Sequence, residues 1–334
     1  MPRSLAVVTG GAGFIGSELV RQLSEDGQDV LVIDTLVNGK RENLDGLAGS
    51  RVTLLEADVR HVEAYRHRLS DAAVVHHLAC LGVRQSIHSP LENHDVNATG
   101  TLHLLRACRA AAVPRFVYVS SSEVYGTARR VPMTEEHPAF PHTVYGASKL
   151  AGECYARAFH STDGYPTVMV RPFNTYGPRC HHEGDSGEVI PKFLLRCLAG
   201  KPMVIFGDGR QTRDFTYVSD TARGILQAGR SDTAVGRTLN LGTGAEISIN
   251  DVASAVAEAA GRPDAAVVHD APRPGDVLRL YADTAQARAL LGYETRVPLV
   301  EGLGRLLDWY RGSGVAPEQL LEAEVVRNWE AAPR

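Results

Sequence analysis

Residues 9–16 read TGGAGFIG, between an apolar run at residues 5–8 and a helical pattern that opens at residue 14. Glycines at positions 10, 13 and 16 in that setting point to a strand that turns sharply into a helix. Gly10 permits the tight turn, Gly13 removes a side chain that would separate the backbone from a ligand, and Gly16 allows close packing of the helix. The free N–H groups at the helix N-terminus then suit a phosphate. Eighteen residues after Gly16, a second apolar run at residues 30–33 ends in Asp34. Its carboxylate is placed to accept hydrogen bonds from a ribose and to repel a 2′-phosphate. The combination implies a dinucleotide site, with NAD favoured over NADP, and Phe14 and Ile15 inside the turn belong to it.

Apolar, β-branched runs recur at residues 5–8, 30–33, 52–56, 73–77, 116–120 and 167–170. Helical patterns lie between them, including 14–23 before Gly27 and 100–112 before Pro114. Strand alternating with helix predicts an α/β fold, a doubly wound parallel sheet with helices on both faces. Right-handed crossovers put the carboxyl ends of the strands on one edge, where the glycine turn also lies. After residue 172 Pro, Gly and Asn become frequent, and a smaller domain begins. A helical stretch at 217–228 and an apolar run at 238–241 return to the sheet. The expected division is therefore interleaved: residues 1–173 plus 214–242 for the dinucleotide, and 174–213 plus 243–334 for the substrate.

With 35 basic and 39 acidic residues, a formal charge of -4 and no long block of either sign, the chain offers no field for nucleic acid or membrane. A small-molecule partner is expected. No apolar stretch reaches membrane-spanning length and no secretory leader is present, which leads to an expectation of a cytoplasmic protein. The five cysteines, 80, 108, 154, 180 and 197, are odd in number and include no Cys-x-x-Cys pair, so reduced, mostly buried thiols are expected. Cys180, His181 and His182 are adjacent in a loop without a fourth ligand at suitable spacing, and no metal site is assigned. Asn97-Ala98-Thr99 matches a glycosylation acceptor and is read as inert.

Tyr145 and Lys149 stand four apart at the head of a helical pattern, so both project from one face. A phenol with a pKa near 10 is a poor base at neutral pH, whereas an adjacent ammonium and a nearby nicotinium charge favour its phenolate. An isolated pair of this kind would read as a packing aromatic beside a solvated lysine. Here the strand at 116–120 opens into a serine run that places Ser121 at the same sheet edge, able to share a substrate hydroxyl proton with Tyr145.

Together with TGGAGFIGS, the strings IDTLVNGKREN, ADVR, HLAC, the serine run before VYG, YGASK, RPFNTYGP, GDGRQTRDFTYVSD, NLGTG and RPGD occur in a characteristic order. In these the chain resembles, over nearly its whole length, the extended short-chain dehydrogenases/reductases that act as nucleotide-sugar epimerases and dehydratases. The resemblance implies a Rossmann doubly wound sheet with a smaller, interleaved α/β substrate domain. It implies that Asp34 and Asn38 hold the adenosine ribose, that Asp58 and Val59 flank the adenine, and that Leu78, Ala79, Tyr145 and Lys149 line the cofactor channel. On the substrate side it implies Asn174, Arg213, Arg273 and Asp276 for the nucleotide diphosphate and its ribose, with Val204 and Phe206 beside the base. Arginine suits that task through its planar, permanently charged fork. A UDP-sugar is the favoured substrate. Helices at 100–112 and 147–159 often pair two subunits in this family, so a homodimer is expected.

Oxidation of the sugar C4 hydroxyl is the first step that Tyr145, Ser121 and NAD imply. Glu123 bears on the second step, since a carboxylate two places beyond Ser121 could take the C5 proton of a 4-ketosugar. A 4,6-dehydratase-type elimination is the leading expectation. Ser122 stands where sugar 4,6-dehydratases carry an aspartate, so the acid for the leaving hydroxyl is missing or replaced. The alternatives are a 4-epimerase acting on UDP-glucose, UDP-GlcNAc or UDP-glucuronate, and a UDP-glucuronate decarboxylase. Arg84, in a Gly-Val-Arg string resembling uronate epimerases, leaves an acidic sugar open. A non-catalytic NAD sensor or scaffold is the alternative of another class; such relatives usually lack the tyrosine or lysine, and both are present.

Overall fold

The structure, a computed structural model, describes residues 5–47, 51–184, 186–273, 277–327 and 329. Seven parallel strands form its central sheet. Their order across the sheet is Thr238–Leu241, Thr167–Pro172, Phe116–Val119, Ala72–His77, Leu5–Thr9, Asp29–Asp34 and Val52–Glu56. Alternate residues of each strand enter opposite cores, as the pleat requires. Val30 and Val32 pack with Leu19, Val20, Ile225 and Leu226 on one face, whereas Leu31 and Ile33 pack with Leu69, Leu104 and Leu105 on the other. Burial on both faces accounts for the continuous apolar runs in the sequence.

Strand order reverses at Leu5–Thr9, which pairs with Asp29–Asp34 on one side and Ala72–His77 on the other. A crevice opens outside the carboxyl ends at such a switch point. Gly10, Asp34 and Leu78 all fall at this edge.

The sequence-predicted strands agree with those observed to within a residue or two, and Thr238–Leu241 forms the expected further strand, at the edge of the sheet. The helix expected at 147–159 is longer, running from Val144 to Asp163. The Thr143 hydroxyl accepts the Gly146 N–H at 3.0 Å to start it, and Gly164 stops it in the left-handed region at φ 65°. Both ends are set by caps, which the apolar periodicity does not register. The helix expected at 100–112 is the last part of a longer helical run: Pro90–His94, a π-turn at Asp95–Gly100, then Thr101–Ala110.

Beyond residue 172 the helices Val189–Leu198, Ile249–Ala259 and Leu299–Gly312 enclose a separate hydrophobic core. Three small sheets accompany them: Asn174–Tyr176 with Phe215–Tyr217, Met203–Phe206 with Val267–Asp270, and Thr212–Arg213 between Ile247–Ser248 and Arg279–Leu280. Among the described residues no helix is long and apolar enough to cross a membrane.

Candidate active site

One cleft of about 870 Å³ runs along the carboxyl edge of the sheet and beneath the C-terminal elements. Every sequence-predicted site residue lines it except Asp276, which lies outside the described residues. At the glycine turn, Gly10 adopts φ +71°, and a Cβ there would sit 2.7 Å from the backbone nitrogen of Ala79. A Cβ on Gly16 would lie 2.0 Å from the Gly10 carbonyl oxygen. Gly16 therefore packs the helix Phe14–Glu25 onto the turn itself, a closer approach than the expected packing on the sheet. Gly13 leaves its backbone facing the cleft.

Asp34 is buried, and its carboxylate accepts the N–H groups of Ala12 at 3.0 Å and Leu36 at 2.8 Å. Burial raises its pKa while those N–H donors oppose the rise. Asn38 and Gln85 exchange two amide hydrogen bonds, 2.9 and 3.0 Å, which tie the loop after Asp34 to the short helix Val83–His88. The Asp58 carboxylate is held by Arg60 at 2.6 Å, and Val59 is buried beside Gly100. Glycine backbone without side chains, a buried acceptor at Asp34 and a cleft that continues to Tyr145 fit a dinucleotide.

The catalytic end is built from two elements. The strand Phe116–Val119 ends in a turn in which the Ser121 hydroxyl accepts the Glu123 N–H at 3.2 Å, and the helix Val144–Asp163 brings Tyr145 beside Ser121 on the cleft wall. Ser122 is buried and Glu123 half-buried, both on the cleft wall. Lys149 is buried one turn beyond Tyr145, donates to the Val119 carbonyl at 2.5 Å and lies 5.0 Å from the centre of the Tyr118 ring.

Burial pushes the Tyr145 phenol well above its usual pKa, Cys80 adds to the rise, the Ser121 hydroxyl opposes it, and the charges of Glu123 and Glu188 raise it further. Burial also lowers the pKa of Lys149. The Lys149 ammonium is directed to the Val119 carbonyl, and desolvation is the largest influence on the phenol.

At the far end, Arg213 donates to the carbonyls of Thr212 and Val277, each at 2.7 Å, and the Arg273 guanidinium lies 5.2 Å from the centre of the Trp329 ring. Val204 and Phe206 form the neighbouring wall, and Asn174 is exposed within the cleft. Arg84 lines the cleft close enough for its charge to act on Lys192, whose pKa burial lowers to about 8.

Several cleft residues are not singled out by the sequence. Cys80 is half-buried, and its thiol acts electrostatically on both Tyr145 and Lys149; the Cys in HLAC is the available signal. Glu188 is exposed within the cleft, where desolvation by the surrounding walls raises its carboxyl to about 7, but its local sequence carries no distinguishing pattern. Asn97, in the π-turn, is 1% exposed, donates to the Leu81 carbonyl and accepts the Leu81 N–H, and so is closed to glycosylation. Cys108, Cys180 and Cys197 are buried and Cys154 is exposed.

The family model described as GDP-mannose 4,6 dehydratase matches residues 7–306. A putative UDP-glucose 4-epimerase of Methanocaldococcus jannaschii is 35% identical, over 92% of this chain and 99% of its own. The crystal structure of UDP-glucose 4-epimerase from Thermotoga maritima, with UDP-glucose, superposes with a TM-score of 0.87 at 32% identity, covering 93% of this chain and 100% of that one. The dTDP-glucose 4,6-dehydratase of Streptomyces venezuelae, with NAD bound, gives a TM-score of 0.86 at 32% identity, over 92% of this chain and 97% of that one. Other relatives are named UDP-glucuronic acid decarboxylase. The expectations of an enzyme and of NAD as its cofactor agree with these proteins. With its parallel sheet, glycine turn and Tyr-x-x-x-Lys helix, the chain belongs to the GDP-mannose 4,6-dehydratase family of NAD-dependent nucleotide-sugar epimerases and dehydratases.

Proposed function

We propose that this enzyme oxidises the C4 hydroxyl of a pyrimidine nucleotide sugar and then carries out a 4,6-dehydratase-type elimination. The observation that carries the reading is the meeting of Ser121, Tyr145 and Glu123 on one cleft wall. Gly10, Gly13, Phe14, Ile15, Gly16, Asp34, Asn38, Asp58, Val59, Leu78 and Ala79 would hold NAD, with residues 174–213 and 243–334 carrying the nucleotide end of the substrate. NAD, when bound, supplies a hydride acceptor and a positive ring charge.

Tyr145, as its phenolate, takes the proton of the sugar hydroxyl, with Ser121 holding that hydroxyl in a shared hydrogen bond. Lys149, held by the Val119 carbonyl, fixes the position of the helix turn that carries Tyr145. Glu123 removes the C5 proton, acidified by the neighbouring ketone, and the C6–oxygen bond breaks. The leaving hydroxide needs a proton to depart as water, and return of the C4 hydride to C6 with reprotonation at C5 then leaves the sugar short of one water only. Ser122 is a weak donor, whereas Glu188, with its carboxyl near neutrality, is matched to that task.

A second reading is favoured by a different observation, the 35 and 36% identity to proteins named as UDP-glucose 4-epimerases. In that reaction the ketosugar turns over in the cleft and no C5 base is required. Incubation with NAD and a panel of UDP-, dTDP- and GDP-sugars, with the product mass then measured, tests both. Loss of one water supports elimination, and unchanged mass with new stereochemistry supports epimerisation. Loss of carbon dioxide from a UDP-uronate contradicts both. We further propose a homodimer that pairs Thr101–Ala110 and Val144–Asp163 with their copies; a monomer by light scattering at micromolar concentration contradicts it.

A further inference from the structure

The last described residues run back across the nucleotide end of the cleft as a strap, residues 323–327 with Trp329. Four clips hold it. The Gly184 N–H donates to the Ala323 carbonyl at 2.7 Å, Arg196 pairs with Glu324 at 2.9 Å, and Lys192 donates to the Val325 carbonyl at 2.7 Å. Arg327 forks onto Asp270 at 2.8 and 3.0 Å, and Asp270 ends the strand that pairs with Met203–Phe206. Glu324 and Val326 line the cleft directly, and Val326 is 37% exposed, an apolar side chain presented to the same space as Val204 and Phe206. Trp329 stands edge-on to Phe206, ring centres 4.5 Å apart, and carries the Arg273 guanidinium over its face at 5.2 Å. It thus grips one aromatic and one cationic residue of the cleft wall at once.

We infer that this strap is part of the nucleotide subsite, with Val326 packing against the base and Trp329 a positioning residue that holds Phe206 and Arg273 against base and diphosphate. The ligand class is a pyrimidine nucleoside diphosphate, and the inference rests on the nucleotide-sugar reading above. An aromatic edge and a guanidinium fixed in advance reduce the ordering needed on binding.

Calorimetric titration of UDP into the full chain tests it, with NAD titrated in parallel, for wild type, Trp329→Ala, Trp329→Phe and Val326→Asp. The expected result is UDP binding about tenfold weaker in Trp329→Ala and in Val326→Asp, largely restored in Trp329→Phe, with NAD affinity unchanged. In turnover the loss should fall on KM and leave kcat. UDP affinity in both Trp329→Ala and Val326→Asp within about twofold of wild type overturns the inference. Equal losses of UDP and NAD affinity overturn it too, because the strap would then support only the fold. A wild-type protein that binds NAD but neither UDP nor dTDP removes the nucleotide-sugar reading itself, which separates the two failures.

Discussion

Lys149 spans from the catalytic helix to the backbone carbonyl of Val119, 2.5 Å away, at the end of the strand that leads into Ser121. The contact joins the two elements whose side chains meet at the reacting position. Burial lowers the pKa of the ammonium, with Cys80 and Glu153 opposing the shift. Replacement of Lys149 by Met leaves the Val119 carbonyl without its donor and lets the two elements drift. Turnover should fall by about 10²-fold, a typical loss for a displaced proton-transfer group, with the melting temperature little changed. A steady-state kcat for Lys149→Met near that of wild type contradicts this arrangement.

Glu123 divides the chemistry after the first step. In Glu123→Gln the shape is kept and the base is lost, so an elimination should slow by about 10²-fold or more. A simple epimerisation should proceed at close to the wild-type rate. Product mass and rate on the same sugar nucleotide give the answer.

Glu188 provides a pH signature. Its folded pKa is raised by desolvation from 4.5 to about 7, so between those values the native state binds more protons than the unfolded chain. The group's contribution to stability is therefore greatest below pH 4.5 and declines as pH climbs to about 7. If its proton assists departure of the hydroxyl, kcat for the wild type falls as pH rises through that value. Glu188→Gln should show a lower, flatter kcat profile and smaller loss of melting temperature on the alkaline side. An unchanged limb near pH 7 in the variant assigns the titration elsewhere.

Glu153 and Arg171 form a two-pronged ion pair, 2.6 and 2.8 Å, in which Glu153 is 0% and Arg171 3% exposed. It fastens the catalytic helix to the strand Thr167–Pro172. Glu153→Gln leaves a buried guanidinium without its counter-charge, a change expected to cost about 3–5 kcal/mol. Chemical denaturation should report that loss, and a variant as stable as wild type contradicts the clamp.

The sheet is legible in the sequence because doubly buried strands write themselves as short β-branched runs, as at residues 30–33 and 167–170. The glycine turn, Asp34, Ser121, Tyr145 and Lys149 are legible because each sits at a fixed offset from a strand end. Helix limits at Val144 and Asp163 escape the pattern because they depend on a threonine cap and a left-handed glycine, not on periodicity. Glu188 and Val326 come to the cleft only through tertiary packing from distant parts of the chain, which no local pattern records. The spacing of Tyr145 and Lys149 shows the charged neighbour but carries no record of the desolvation that acts on the phenol.

Tyr145→Phe is the most direct measurement, made on the full chain with NAD and the nucleotide sugar that the wild type converts. Removal of one oxygen should cut turnover by at least about 10²-fold while NAD affinity and melting temperature stay at wild-type values. A phenylalanine variant that turns over the same sugar at the wild-type rate would show that the phenol beside Ser121 is not the group that takes the proton.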